Sequence, residues 1–453
     1  MEIKGKYIIV YYTVLLLLMM SWTSYDSFPP AILRIVYLAA VLAPGLLDKD
    51  CTIPAALTCF WGIAVNGYAY SYMLTMVYLY IGILILLTFV IHRYKKRSML
   101  FRGYMLPIVM CLFVTLRNLV ASNSIEDITW GLLLFLIFPL FIADTDTFNE
   151  KRMSWAFMTL TIVLAYYCFT TQELFAGAYG GGSGNSAIAV RSGWTDPNYL
   201  SMIVGMGATI GFRNILRLRN VDKLTAALAL ASFGMAVPAM MLLVSRGGLL
   251  CLCGSVSMLL LFSKVKTSYK IGILSLIIIF VVILYTNDFL IMLEERLNGE
   301  AGGSNNERMW ILERRLTAFA DGSPICWLIG YGLQDGLLLG LPYVMGNHND
   351  YVAFLTEYGV VGLLMFIGIL LLPLYNMKYA SKVYGDVVAY TLYLMLASLT
   401  LEPFSFGRWL HYIFLLFIII VVRNDYASRK KNMIKKDIAP LIEEKEDINI
   451  IDK

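Results

Sequence analysis

The chain has 453 residues, of which 59% are hydrophobic and 15% charged, and its formal net charge is +5 at pH 7. This composition is too apolar for a soluble globular protein and predicts a polytopic membrane protein. The chain has no Walker or Rossmann glycine pattern in a suitable context, and its seven cysteines suggest neither a disulfide framework nor a metal cluster. We therefore expect no nucleotide, metal or other cofactor and no nucleic-acid partner.

Apolar runs recur along almost the whole chain. A bilayer core about 30 Å thick requires about 20 helical residues, and long continuous runs favour helices over alternating strands. We predict an all-α fold, a polytopic transmembrane helix bundle with about 12–14 spans. The fourteen candidate spans are 7–24, 30–47, 51–67, 71–91, 103–121, 128–144, 154–171, 199–212, 224–244, 248–263, 270–287, 351–375, 386–402 and 408–422.

The distribution of basic residues predicts the orientation of these spans. Lys4 and Lys6 precede the first span, and with that end inside, the even-numbered connections hold basic clusters such as 92–97 and 264–270. The opposite connections carry a few arginines but no lysine. This pattern obeys the positive-inside rule and places both termini in the cytoplasm.

Three regions follow from this topology. Residues 1–423 form a membrane domain, within which residues 288–350 form one large extracytoplasmic loop before the last three helices. Residues 424–453 are basic and then acidic, which predicts a disordered cytoplasmic tail.

The segment RSGWTDPNYL, residues 191–200, enters the eighth predicted span. Asp196 or Asn198 can cap a helix whose first turn holds Pro197, because either side chain accepts the free amide hydrogens of a helix start. Such a start attracts anions and lies close to Arg191. A capped loop with a solvated arginine is the alternative.

A second arginine, Arg246, lies in the sequence SRGG at the outer mouth of the next helix pair. A charge so near membrane depth requires a partner. Arg246 and Arg191 together could hold a phosphate through the planar guanidinium fork. Alternatively, the long stem of Arg246 carries its charge to the interface without binding a ligand.

Residues 307–316 of the outer loop predict an amphipathic helix, in which Arg308 and Arg315 share a face and are possible ligand contacts. We expect its apolar stripe to pack on the bundle and replacement of Arg315 by alanine to be mild. The helix could instead lie on the membrane surface over a lipid head group. The stripe consists of Met309, Leu312, Leu316 and Phe319.

The loop ends in NHNDYVAFLTEYGVVG, in which His348 directly precedes the twelfth predicted span. An unperturbed histidine has a pKa of about 6.5 and can accept a proton at neutral pH. His348 is therefore the candidate catalytic base, although a lone histidine is more often structural.

Taken in order, RSGWTDPN, SRGG, the stretch from Arg308 through Gly330-Tyr331-Gly332, and HNDYVAFLTEYGVVG resemble the O-antigen ligase/polymerase family, the WaaL and Wzy type of bacterial membrane glycosyltransferase. By motif, the resemblance covers roughly residues 185–375.

This resemblance implies inverting, metal-independent transfer of a glycan from undecaprenyl diphosphate to an acceptor hydroxyl at the outer face of the inner membrane. It implies that Arg191 and Arg246 bind the diphosphate, that Arg308 has a loop role, and that His348 orients or deprotonates the acceptor. The implied partners are the lipid-linked donor, an acceptor that is either a lipid-linked repeat unit or lipid A core, and membrane lipids. A chain-length regulator is a further candidate partner.

The breadth of the family favours a polymerase of O-antigen or capsular repeat units over a ligase. Two alternatives belong to other classes. A flippase for lipid-linked oligosaccharides would also have many helices and outward arginines, but the chain shows no convincing inverted repeat. A non-catalytic membrane scaffold would leave the clustered arginines unexplained.

Overall fold

The protein is all-helical in the part described by the computed structural model. That part comprises residues 5–22, 36, 39–41, 43–44, 105–121, 149–170, 197–243, 245–286, 304–332, 349–377, 381–401, 404, 411 and 413–429. Every regular element within these residues is a helix, which confirms the predicted fold class. The elements discussed below are α1 (Gly5–Trp22), α2 (Met105–Ala121), α3 (Glu150–Thr170), α4 (Pro197–Ile215), α5 (Lys223–Leu242), α6 (Arg246–Phe262), α7 (Thr267–Thr286), α8 (Ser304–Ala320), α9 (Pro324–Ile329), α10 (Asp350–Tyr375), α11 (Tyr384–Thr400) and α12 (413–429).

The observed apolar helices begin and end within a few residues of the predicted spans. Helices α3, α5 and α10 are long and apolar enough to cross a membrane, and α2, α6 and α7 are or contain shorter apolar helices. The predicted spans 51–67, 71–91 and 128–144, and most of 30–47, lie outside the described residues. The number of spans and the side on which the termini lie therefore stay predictions.

Close packing holds α4 against its neighbours α3 and α11. Gly205 of α4 lies against the ring of Tyr393, whose hydroxyl donates to the Met202 carbonyl. Gly207 lies against Thr161, whose own hydroxyl donates to a backbone carbonyl of α4 at 3.1 Å. Helices in lipid gain no hydrophobic stabilisation from association, so small residues and interhelical hydrogen bonds stabilise the contact.

Charged residues join four helices at one end of the bundle, which we call the ion-pair end. Arg213 of α4 contacts Glu150 of α3 at 3.0 Å and Asp386 of α11 at 2.9 Å. Arg217 contacts the other oxygen of Asp386 at 2.8 Å, and Asn424 of α12 donates to Glu150 at 3.5 Å. The predicted alternation of spans requires these helix ends to share one side, and the ion pairs hold them together.

Asp222 caps α5 at the same end. Its carboxylate accepts from the Thr225 amide at 3.2 Å and the Thr225 hydroxyl at 2.6 Å, and it contacts Lys151 at 2.9 Å. Burial raises the pKa of this carboxyl, but the hydrogen bonds from Thr225 and the charge of Lys151 outweigh it, so the pKa lies well below its ordinary value.

We expect Asp222→Ala to destabilise the folded protein by about 1 kcal/mol, the usual value of an N-cap. Asp222→Asn should cost less, because asparagine also caps. Since the pKa is lowered in the folded state, the carboxylate stabilises the folded protein at pH values above about 3.9, the pKa in the unfolded chain. This stabilisation is lost as the pH falls through the folded-state pKa. Thermal unfolding in detergent measures both variants. A difference in melting temperature between wild type and Asp222→Ala that widens on acidification would contradict the assignment of Asp222 as a charged cap.

The last described helix extends further than the sequence predicted. Residues 413–429 are helical, so this helix continues past the predicted span end at 422 and into the first residues of the predicted tail, whose boundaries stay a prediction. An ion pair between Arg429 and Asp425, 2.8 Å and one turn apart, stabilises this extension. Residues 430–453 lie outside the described residues.

Candidate active site

Arg246 lies at the first position of α6, at the bundle end opposite the ion pairs. Its side chain is exposed. The preceding Ser245 is buried and caps the helix, since its hydroxyl accepts from the Gly248 amide at 3.3 Å. The cap fixes where the helix begins and hence where the guanidinium leaves the backbone.

The glycines after Arg246 bring α6 close to two other helices. Gly247 lies against the hydroxyl of Thr400 at the end of α11, and Gly248 lies against Ser201 in the first turns of α4. A side chain at either position would collide with these atoms. The sequence SRGG therefore places Arg246 where α4, α6 and α11 meet, which we call the loop end.

The predicted anion-attracting helix start is present in α4. The helix begins at Pro197, so the cap position falls on residue 196 and Asn198 is inside the helix. Of the two predicted caps, Asn198 is thereby excluded, and Asp196 lies outside the described residues. Arg191 also lies outside them, six residues before α4 in a segment that leads into the loop end.

The start of α10 is fixed at the loop end by hydrogen bonds. Asn349 caps the helix by accepting from the Val352 amide at 3.2 Å. The Asp350 amide donates to the Leu401 carbonyl at 3.2 Å, and both carboxylate oxygens of buried Asp350 accept from the Phe404 amide at 3.1 Å. His348 directly precedes this cap and lies outside the described residues.

Three helices therefore begin at the loop end, and each start belongs to a segment singled out from the sequence. Helix starts carry partial positive charge and free amide hydrogens, and they bind anions. Arg246 adds a full charge there. The structure brings Arg246 to the starts of α4 and α10, and the chain attaches Arg191 and His348 to those two starts. An anionic group such as a phosphate suits the described part of this arrangement.

A glycine contact that sequence analysis did not predict connects the outer loop to α10. Gly359 has φ +69° and interrupts the helix. The end of α9 fits into this break. The Tyr331 amide donates to the Thr356 carbonyl at 2.8 Å, and the Gly332 amide donates to the Glu357 carbonyl at 2.7 Å. We call the contact of residues 330–332 with residues 356–359 the glycine latch. Its sequence signal is the pair of glycines flanking Tyr331.

Arg117 of α2 holds the latch from the other side. Its Nε donates to the Ile329 carbonyl at 3.1 Å and its terminal nitrogen to the Gly330 carbonyl at 2.8 Å. These carbonyls end α9, and a cation is favourable at a helix C-terminus. Arg117, which lies inside the predicted span 103–121, therefore joins α2, the outer loop and α10.

The segment that contains α6, the outer loop and the break in α10 matches a known family. Residues 230–367 match the family model described as O-antigen ligase. The chain carries an O-antigen ligase family domain. This match confirms the resemblance stated from the motifs. A search of curated proteins found no match to the chain.

The O-antigen ligase domain includes Arg246, Arg308, Arg315 and His348, whereas Arg191 precedes it. With the apolar helices, it supports a membrane glycosyltransferase of the ligase/polymerase type that uses lipid-linked glycans. Within the described residues, no group of three or more histidine, cysteine, aspartate or glutamate side chains could hold a metal ion. The expected independence from metals stays a prediction.

Helix α8, in the outer loop of the O-antigen ligase domain, buries a different face from the one predicted. Ile311 and Arg315 are each 2% exposed, whereas Met309 is 61% and Leu316 39% exposed. The other two residues of the predicted stripe, Leu312 and Phe319, are half-buried, so the stripe packs only in part and is not the most buried face of α8. The side chain of Arg308 lies outside the described residues.

The burial of Arg315 also changes what its replacement should do. We expect Arg315→Ala to cost about 2 kcal/mol or more, because truncating a large buried side chain leaves a cavity and strands its neighbours. Arg314→Ala is the matched control, since Arg314 is exposed and stacks 4.7 Å from the Trp310 ring. Thermal unfolding in detergent distinguishes them. Equal melting temperatures for the two variants would contradict a structural role for Arg315 and leave it as a candidate ligand contact.

Proposed function

We propose that the protein transfers a glycan from undecaprenyl diphosphate to an acceptor hydroxyl at the outer face of the bacterial inner membrane. The observation that carries this proposal is the convergence of three helix starts at the loop end, with Arg246 exposed at one of them. The family match supports a glycosyltransferase of the ligase/polymerase type, and the positive charge of Arg246 and the helix starts suits a lipid-linked diphosphate.

The leaving group in this reaction is a diphosphate that gains negative charge as the glycosidic bond breaks. Fixed positive groups placed where this charge develops lower the barrier. Arg246 and the start of α6 supply part of this positive charge, and Arg191, in the segment before α4, supplies a second guanidinium. The oxygen of the acceptor hydroxyl attacks the anomeric carbon while His348 receives the proton of that hydroxyl. The attack comes from the side opposite the leaving diphosphate, so it inverts the configuration.

The acceptor distinguishes two activities with the same donor. A polymerase transfers the glycan to another lipid-linked repeat unit, whereas a ligase transfers it to lipid A core. We propose the polymerase, because family members of this type act in many surface-glycan pathways. Both activities use the loop end in the same way.

The deciding experiment is transfer by the purified protein in lipid vesicles. Undecaprenyl-diphosphate repeat units alone should give a ladder of longer lipid-linked chains. A product that forms only after lipid A core is added would establish a ligase. No transfer to either acceptor, with movement of lipid-linked glycan between leaflets, would overturn the proposal in favour of a flippase.

Arg246 provides a substitution that separates charge from geometry. We expect Arg246→Lys to lower transfer about 10-fold, because lysine keeps the charge but loses the two-point grip on phosphate. Arg246→Ala should lower it further. Gly247 and Gly248 stay unchanged in both variants, so the packing of α6 against α4 and α11 is kept. Wild-type rates for both variants at equal protein would remove Arg246 from the site.

A further inference from the structure

The short helix α9 presents an uncharged apolar surface. Its sequence is PICWLI, and Ile325, Trp327 and Leu328 are 69%, 44% and 56% exposed. We call these three side chains the α9 surface. They are exposed although α9 is packed on its other side against α10 through the glycine latch. Something outside the described part of the chain therefore covers them, or they contact solvent.

The latch fixes the level of α9 along α10. The first turns of α10 contain Asp350, Thr356 and Glu357, whereas residues 360–375 carry no charged side chain. That uncharged stretch is about 24 Å long at 1.5 Å per residue, close to the thickness of a bilayer core. Gly359 directly precedes this stretch and lies against the backbone of Leu328, so α9 lies beside one end of the uncharged stretch.

The α9 surface also continues into the exposed side of α10. Val360, next to the latch, is 41% exposed, and Leu364, one turn further, is 64% exposed. Helix α10 is long and apolar enough to cross a membrane, where these exposed side chains would contact acyl chains. Leu328 adjoins them, because its backbone lies against Gly359.

Trp327 has the chemistry of a membrane-interface anchor. Its indole nitrogen donates to the Phe319 carbonyl at 2.8 Å, so its polar atom is satisfied within the loop while the ring stays exposed. Tryptophan is enriched at membrane interfaces because one part of the ring system is apolar and the other polar. A protein partner fits less well, since three side chains cover far less than the about 800 Å² per partner of a stable interface.

From these observations we propose that α9 lies in the membrane interface, with Ile325, Trp327 and Leu328 inserted among the acyl chains of the bilayer. The helix thereby anchors the outer loop to the lipid surface, and the latch transmits that position to the start of α10. This inference does not depend on the glycan-transfer activity. It assigns a lipid-binding surface to a segment outside the proposed catalytic residues.

The test uses the full chain in vesicles whose lipids carry bromine near the headgroup end of the acyl chain, which quenches tryptophan within contact distance. We expect Trp327→Phe to remove about one tryptophan's share of the quenchable emission. Trp155→Phe is the matched control, because Trp155 is 8% exposed and bonded to Thr225 at the ion-pair end. It should leave the amount of quenchable emission unchanged.

A second variant protects the result against local misfolding. Adding Ile325→Trp to Trp327→Phe moves the indole to the more exposed neighbouring position and should restore the quenchable fraction. Iodide in the buffer separates the remaining outcomes. If the emission lost in Trp327→Phe is quenched by iodide and not by brominated lipid, the surface faces water; if neither quencher reaches it, protein covers the surface. Either result would overturn the proposal.

Discussion

Replacing His348 by alanine should lower glycan transfer about 100-fold to 10,000-fold, the usual contribution of a general base. The acceptor hydroxyl is a weak nucleophile until its proton is removed, and His348 is the histidine attached to the start of α10. The hydrogen bonds of Asn349 and Asp350 hold that start, and neither requires the imidazole. The variant should therefore insert and fold normally. The measurement is the initial rate of transfer at equal protein.

His92→Ala is the matched control for this substitution. His92 belongs to the basic cluster predicted in the cytoplasm, so its loss should leave the transfer rate unchanged. A wild-type rate in His348→Ala would exclude a catalytic role for the histidine. The positions of Arg246 and the three helix starts would then support binding of the diphosphate only.

The second large effect should come from Gly359→Ala, which attacks the glycine latch. Gly359 has φ +69°, which alanine adopts only with strain. Its added Cβ would also lie against the backbone of Leu328, where only backbone movement could relieve the contact. We expect a loss of about 3 kcal/mol or more in the free energy of unfolding. A lower melting temperature and loss of transfer would follow, because the latch connects the outer loop to α10.

Two further variants show whether opening the glycine latch causes the loss of stability and transfer in Gly359→Ala. Gly234→Ala is the control, because a Cβ at this helical position meets nothing within 4 Å. Gly330→Ala should act like Gly359→Ala, since its Cβ would meet the backbone of Glu357 and Tyr358. The double variant should cost less than the sum of the two single ones, because either substitution alone opens the same contact. Additive effects would mean that the two glycines act independently.

Local sequence patterns were sufficient to predict most of the apolar helices that the structure describes. Apolar runs predicted α10 and α11 to within a few residues, because the requirement to satisfy backbone hydrogen bonds in lipid is local to each segment. The prediction that the first turn of α4 holds Pro197 is confirmed, and the predicted span from 248 begins two residues after the start of α6. The order of the motifs also identified the O-antigen ligase family.

Contacts between distant segments decided the rest. The predicted spans began within two residues of the observed starts of α4, α6 and α10. Only packing through Ser201 and Leu401 brings these three starts to one end of the bundle. The face that α8 buries and the break at Gly359 were likewise beyond sequence patterns. The physical reason is the same in each case: a side chain's burial and a glycine's positive φ depend on neighbours that are distant in sequence. Gly359 lies against Leu328, and Gly330 accepts from Arg117, 213 positions away.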